Sequence, residues 1–217
     1  MTAVNRVLLV TVLLTVLVAL PVAAATALEP DDVIELRVMA YASDPANVRL
    51  AGQTAIDLLT AARVHAIWRI CAAGPDRCAP SSSARRSVLV RLLPLSKLSD
   101  PSVTGEVVKD SATSGPAVLV YLKSEQALTL SFQQGASGRS HPALATLSAG
   151  HLVGLTLAHE VGHVLGLPHS RTGIMKPRWD TADIIAARGS QLTFQPNEVM
   201  AMGIAIRTDA VAFAARQ

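Results

Sequence analysis

His159, Glu160, His163, Gly166 and His169 fall in one short stretch, HEVGHVLGLPH, and their types and spacing can do chemistry. The first two histidines are four residues apart. On a helix of about 3.6 residues per turn they share a face, one turn from each other. Two imidazole nitrogens so placed can reach one ion at the ~2.0–2.1 Å usual for zinc. Glu160 follows His159 directly, so it points round the helix and is poorly placed as a third ligand. It can reach a water held on the ion. Gly166 can adopt a left-handed conformation, which ends the helix and turns the backbone. Pro168 keeps Leu167 extended, and His169 then swings back towards the ion. Three histidine ligands leave a fourth position open, as catalytic rather than structural zinc sites do. Zinc lowers the pKa of a bound water, and Glu160 is the general base that would take its proton and later deliver it to a leaving amine. The expected cofactor is one zinc ion and the expected reaction is peptide-bond hydrolysis.

At the chain's own His and Glu frequencies, H-E-x-x-H arises by chance in roughly 0.005 of such chains, and requiring Gly166 and His169 lowers this to roughly 10⁻⁵. Isolated histidines carry no such weight. His65 reads as a strand residue, His141 as a loop residue and His151 as a helix residue outside the ligand set. Two other readings stand beside the first. An acidic third ligand could come from Asp180, Asp183 or Glu198. Alternatively, the chain binds zinc without cleaving anything, although a structural site has no use for Glu160 as a base.

The elements that must position these groups can be read from periodicity. Residues 33–41 alternate apolar and polar side chains, as a strand does. Ser43, Asp44 and Pro45 announce a helix, with Val48, Ala51, Ala55, Leu58 and Leu59 at helical spacing to about Ala62. The period returns to two over 64–70, a second strand. Residues 87–95 form a third strand, ended by Pro94. Residues 103–109 are short and polar at their end, which suits an edge strand, and 117–122 form an apolar run suited to a buried central strand. Residues 124–134 fit a helix or a strand. A helix starts between Pro142 and Ser148 and runs through Leu165. Little regular pattern follows until Pro196 and Glu198 open a terminal helix.

The chain has 217 residues, enough for one domain or two small lobes around a cleft. Its amino terminus has Arg6, then fourteen largely apolar residues over 7–20, then Ala25-Thr26-Ala27. That is the pattern of a secretory signal peptide over 1–27, with cleavage after Ala27 or Ala25. Such a run is short for a spanning helix, and an uncleaved, membrane-tethering anchor is the alternative. In an exported protein, Cys71 and Cys78 are expected to form a local disulfide around the Gly74-Pro75-Asp76 turn; two buried thiols are the other possibility. A net charge of +3 and an aromatic content of 3% leave no basic, base-stacking surface for nucleic acid.

H-E-x-x-H-x-x-G-x-x-H followed by a methionine resembles the metzincin zinc endopeptidases. Ser170 after the third histidine is most similar to the matrixin branch. The resemblance implies that Met175, in Gly173-Ile174-Met175, lies beneath the metal as an apolar floor. It implies an α+β, zincin-like fold in which a mixed five-stranded twisted sheet packs on two helices. The upper lobe would span about 28–166, and a small lower lobe, about 167–217, would end in a helix. A peptide or protein substrate would lie along the edge strand, near Val103, Gly105 and Val107, with Trp179 shaping the pocket on the leaving-group side. The expected protein is an exported monomer without a sizeable pro-domain or structural calcium. Lys176 stands where related enzymes often carry tyrosine.

Overall fold

The computed structural model describes residues 33–41, 43–71, 78–81, 86–97, 99–100, 102–109, 115–135 and 141–208; the signal segment proposed over 1–27 lies outside them. The elements run β1 (Val33–Ala40), α1 (Pro45–Ala61), β2 (His65–Ile70), β3 (Arg86–Leu93), β4 (Gly105–Lys109), β5 (Pro116–Tyr121), α2 (Leu122–Gln134), a 3₁₀ turn at Pro142–Leu144, α3 (Ala149–Val164), α4 (Thr181–Arg188) and α5 (Pro196–Arg207). The strands order as β2-β1-β3-β5-β4. β2, β1, β3 and β5 are parallel, and β4 pairs antiparallel with β5. This is the mixed five-stranded sheet expected.

Strand alternation sends Ile34, Leu36 and Val38 of β1 to one face of the sheet and Glu35 and Arg37 to the other. The first face meets the helices. Asp44 caps α1 by accepting the Ala46 amide at 3.0 Å, and Pro45 occupies the first turn. Val48, Ala51, Ala55 and Leu59 of α1 are buried. α3 is apolar almost all round because it lies between α1, α2 and the sheet on one side and the residues after 166 on the other. Leu152 and Leu157 are fully buried there, each worth about 1.5–3 kcal/mol relative to exposure. One apolar cluster runs from Leu36 and Val90 through Leu157 to Met175, Ile184 and Met202, so the carboxy-terminal helices share the core of the sheet.

The second face is closed by polar groups. Glu35 accepts from Arg69 Nε at 2.6 Å, the Ser81 amide at 2.9 Å and Ser87 Oγ at 3.2 Å. Arg37 donates to Ser87 Oγ and to the Cys78 carbonyl. Cys71 and Cys78 form the expected disulfide, with Cα atoms 5.2 Å apart, and pack with Leu89 and Ala117. Burial alone would raise the Glu35 carboxyl. The Ser81 amide, the Arg69 guanidinium and the Ser87 hydroxyl outweigh it and hold the group below its ordinary value.

Several expectations need correction. The stretch 122–134, which fits two periods in the sequence, is a helix, α2: its buried residues Glu125, Thr129 and Phe132 recur at helical spacing, and it packs on α3. The third strand ends at Leu93 and the edge strand begins at Gly105, leaving Val103 in the preceding loop. β5 is interior but next to the edge, while β3 is central. The stretch after Met175 contains α4. Asp180 accepts the Asp183 amide at 3.0 Å and Asp183 accepts the Asp180 amide at 2.9 Å, a reciprocal cap. Among the described residues no helix is long and apolar enough to cross a membrane.

Candidate metal centre

α3 carries His159 and His163 on one face, as their spacing requires, and stops at Val164. Gly166 follows with φ +86°, the left-handed turn expected of it. The chain then doubles back. The Leu167 amide donates to the Gly162 carbonyl at 3.0 Å, and the Leu167 carbonyl accepts His163 Nδ1 at 2.7 Å. His159 Nδ1 donates to the Ile174 carbonyl at 2.8 Å. With both Nδ1–H groups so committed, the lone pairs of His159 and His163 lie at Nε2.

Those lone pairs converge. His163 Nε2 is 3.0 Å from His159 Nε2 and 3.2 Å from His169 Nε2. Neither His159 Nε2 nor His163 Nε2 has a proton to offer the other, so their approach is repulsive unless a cation lies between them. Nitrogens bound tetrahedrally to zinc at 2.0–2.1 Å would be about 3.3 Å apart. The donor set therefore fits zinc. Burial holds His159 down to about 4 and also lowers His163, so both are neutral and ready to coordinate at neutral pH. Among the described residues these three histidines form the one group of three or more side chains placed to hold a metal.

The acidic alternatives are engaged elsewhere. Asp180 and Asp183 cap α4 and pair with Lys176, and Glu198 accepts the Gln195 amide at 2.7 Å. His65 lies exposed on β2, His141 caps the 3₁₀ turn, and His151 meets Ser148 and Arg188. None joins the cluster.

Met175 is fully buried below α3. Its Sδ lies 2.5 Å from where a Cβ on Gly162 would stand, so Gly162 admits the methionine between the two ligand histidines. The loop is closed by the Ser170 amide donating to the Met175 carbonyl at 2.9 Å. One tight loop thus carries His169 and Ser170 at its start, orients His159 through Ile174, and supports the site through Met175. The Gly162 requirement was not foreseen; its signal was a residue without a side chain between two candidate ligands.

The three histidines open into a cleft of about 410 Å³. Val103, Thr104, Gly105 and Glu106 line it from β4 and the loop before it, and Trp179 lines it too, edge-on to His159 with ring centroids 5.8 Å apart. Val103 and Gly105 line the cleft as expected, but Val107 packs on the core instead. Glu106 lines the cleft in its place, bound by Lys97 and the Tyr121 hydroxyl. Glu160 also faces this space. Burial, with the negative charges of Glu106 and Glu125, pushes its carboxyl up to about 8. A cation on the adjacent imidazoles would favour its charged form.

No family model matches the chain, and no curated protein matches it in sequence. Among solved structures, archaemetzincin from Methanopyrus kandleri is similar, with a TM-score of 0.50 over 84% of this chain and 99% of that one. The fold is metzincin-like. At 12% identity the likeness concerns architecture alone.

Proposed function

We propose that this chain is a zinc-dependent endopeptidase, with His159, His163 and His169 as ligands and Glu160 as general base. The observation that carries the reading is the convergence of the Nε2 atoms, with His159 and His163 each held through Nδ1 by a backbone carbonyl. Zinc held there would supply an activated water and polarise a substrate carbonyl. Glu160 would take a proton at its carboxylate and pass it to the departing amine. The edge strand β4 offers backbone groups to an extended peptide, with Trp179 beside His159 in the same cleft. Ser170 and Met175 favour the matrixin branch within this reading.

Export through residues 1–27 is part of the proposal and rests on the sequence pattern, in keeping with a disulfide between Cys71 and Cys78. A monomer is expected, with a peptide or protein as its partner. The deciding experiment is cleavage-site profiling on a peptide library, with zinc content measured on the same protein and a chelator control. Cleavage lost with zinc and restored by it supports the reading. Zinc-loaded protein that cleaves nothing across the library favours a binding protein on the same fold.

A further inference from the structure

β1 and β3 are neighbours in the sheet, yet the chain leaves them in opposite directions. From β1 it passes through α1 to β2 on one side, and from β3 it passes to β4 and β5 on the other. The carboxyl ends of such a pair open a crevice, and in open sheets flanked by helices ligands settle there. The histidine cluster lies elsewhere, beside the edge strand β4, and its chemistry makes no use of this crevice. A cavity of about 260 Å³ stands at the crevice. Its walls come from the residues after β1 (Ser43, Asp44 and Asn47), from the end of β3 (Leu92 and Pro94) and from the start of α2 behind β5. It shares no lining residue with the cleft at the histidines. Val153 lines it from α3, six residues before His159, which is about 9 Å along the helix. The volume is just under the roughly 300–1,000 Å³ of pockets for drug-sized ligands, so its ligand is small.

The lining has two characters. Val48, Leu92 and Val153 belong to the core and give an apolar floor. The rim is polar, and its two sides differ. On α1 the acceptors are engaged: Asp44 Oδ1 accepts the Ala46 amide at 3.0 Å and Oδ2 accepts the Asn47 side-chain amide at 3.1 Å. On α2, Lys123 and Gln126 stand about one turn apart on one face. Both are exposed, and among the described residues neither makes a hydrogen bond or an ion pair. No side chain caps α2, so its first-turn amides add donors on the same side. The unspent capacity of the rim is therefore that of donors, with the positive charge of Lys123 among them.

We propose that the crevice between β1 and β3 is a second binding site, for a small carboxylate with an apolar body. Lys123 and Gln126 take the carboxylate at the rim, and the body lies on Val48, Leu92 and Val153. The ligand class follows from sign and shape. A fully polar anion would leave the floor uncovered by apolar surface. A neutral apolar molecule would leave Lys123 and Gln126 without an acceptor, and a cation would meet Lys123. A carboxylate joined to an apolar body satisfies both parts, through charge-assisted hydrogen bonds above and apolar contact below.

Benzoate is the probe, titrated into the zinc-loaded full chain and followed by amide and imidazole NMR. Saturable shifts should appear at the amides of Asn47, Lys123 and Gln126, with Kd on the order of 1 mM for so small a ligand. Benzamide, which keeps the body and loses the charge, should bind about tenfold more weakly, and so should acetate, which keeps the charge and loses the body. Lys123→Glu, an exchange at an exposed position, should weaken benzoate about tenfold and leave benzamide unchanged. Carboxylates also bind zinc, so the imidazole signals of His159, His163 and His169 are followed in parallel. Shifts confined to those histidines mean that benzoate binds the metal and overturn the inference. Benzoate binding unaltered in Lys123→Glu overturns it too, as does benzamide binding as tightly as benzoate. The inference does not rest on the hydrolytic reading. Peptide cleavage should be the same in Lys123→Glu as in the unaltered protein, and a chain that cleaves nothing is still decided by the benzoate titration.

Discussion

Under the sheet, Glu35 accepts from Arg69, Ser81 and Ser87, and Arg37 is held by Ser87 and the Cys78 carbonyl. At the end of α3, His159 and His163 are oriented through Nδ1 by backbone carbonyls, yet their Nε2 atoms face each other with no proton between them, and His169 Nε2 closes in on His163. Both groups are built from charged or ionisable side chains brought together by the fold. In the first, donors meet acceptors, and the group is complete without any further partner. In the second, acceptors meet acceptors, and the group is complete only with a cation. Burial by itself does not distinguish a structural polar cluster from a binding site; the sign of the leftover hydrogen-bonding capacity does.

The comparison breaks most readily at the metal centre. His163→Ala removes the central nitrogen of the three, and zinc content and peptide cleavage should both fall to background while the circular dichroism of the apo fold is kept. A zinc-replete His163→Ala protein would mean that the ion is held elsewhere. Glu160→Gln is narrower. It should keep zinc and thermal stability and lower cleavage by about 10²–10⁴-fold, the scale of a lost general base. If its kcat matches that of the unaltered protein, Glu160 is a spectator and the structural analogy with Glu35 is closer than proposed.

Much of the metal centre was legible in the sequence because it is local. His159, His163, Gly166 and His169 lie on one helix and one turn, so the periodicity of α3 and the freedom of Gly166 fix their relations without knowledge of the rest. The strand and helix order through β3 was legible for the same reason. What needed the structure was tertiary. The stretch that became α2 fits two periods, and packing on the core chose between them. The alternation in β1 suggests a face for solvent, but Glu35 and Arg37 on it are buried at 2% and 4% exposure, in contact with Cys78 and Ser81, a tertiary contact that the strand does not encode. Glu106 replaced Val107 at the cleft because pairing of β4 with β5 sets which side chain faces it. The α4 cap, Asp180 with Asp183, was readable and was missed as a pair of candidate ligands.

The complete cluster should show its character through acid. Glu35 is held below its ordinary value of 4.5, so its contribution is fully present above that pH and is lost as pH falls through the lower, folded-state value. Glu35→Gln should cost about 1–3 kcal/mol in urea unfolding at neutral pH. The gap to the unaltered protein should close under acid, because there the native residue is protonated as well. A gap independent of pH would mean that shape, not charge, holds this face. Zinc content should not change in Glu35→Gln at any pH where the protein is folded, since the cluster lies across the sheet from the histidines.

The smallest effect expected tests how the incomplete cluster is held open. Gly166 turns the chain at φ +86°, between the two helix-borne ligands and His169. Gly166→Ala forces a side chain into the left-handed region and should cost about 1–2 kcal/mol. Gly166→Asn should cost less, because asparagine tolerates that conformation. If the loop from Ser170 to Met175 fixes His169 by itself, both variants should lose stability but bind zinc as before. If the turn also aims His169, zinc affinity should fall with stability, more in Gly166→Ala than in Gly166→Asn. Chelator competition on the two variants separates these outcomes. The second would mean that the approach of the three nitrogens is held partly by the backbone at Gly166, where the Glu35 cluster is held by its own hydrogen bonds.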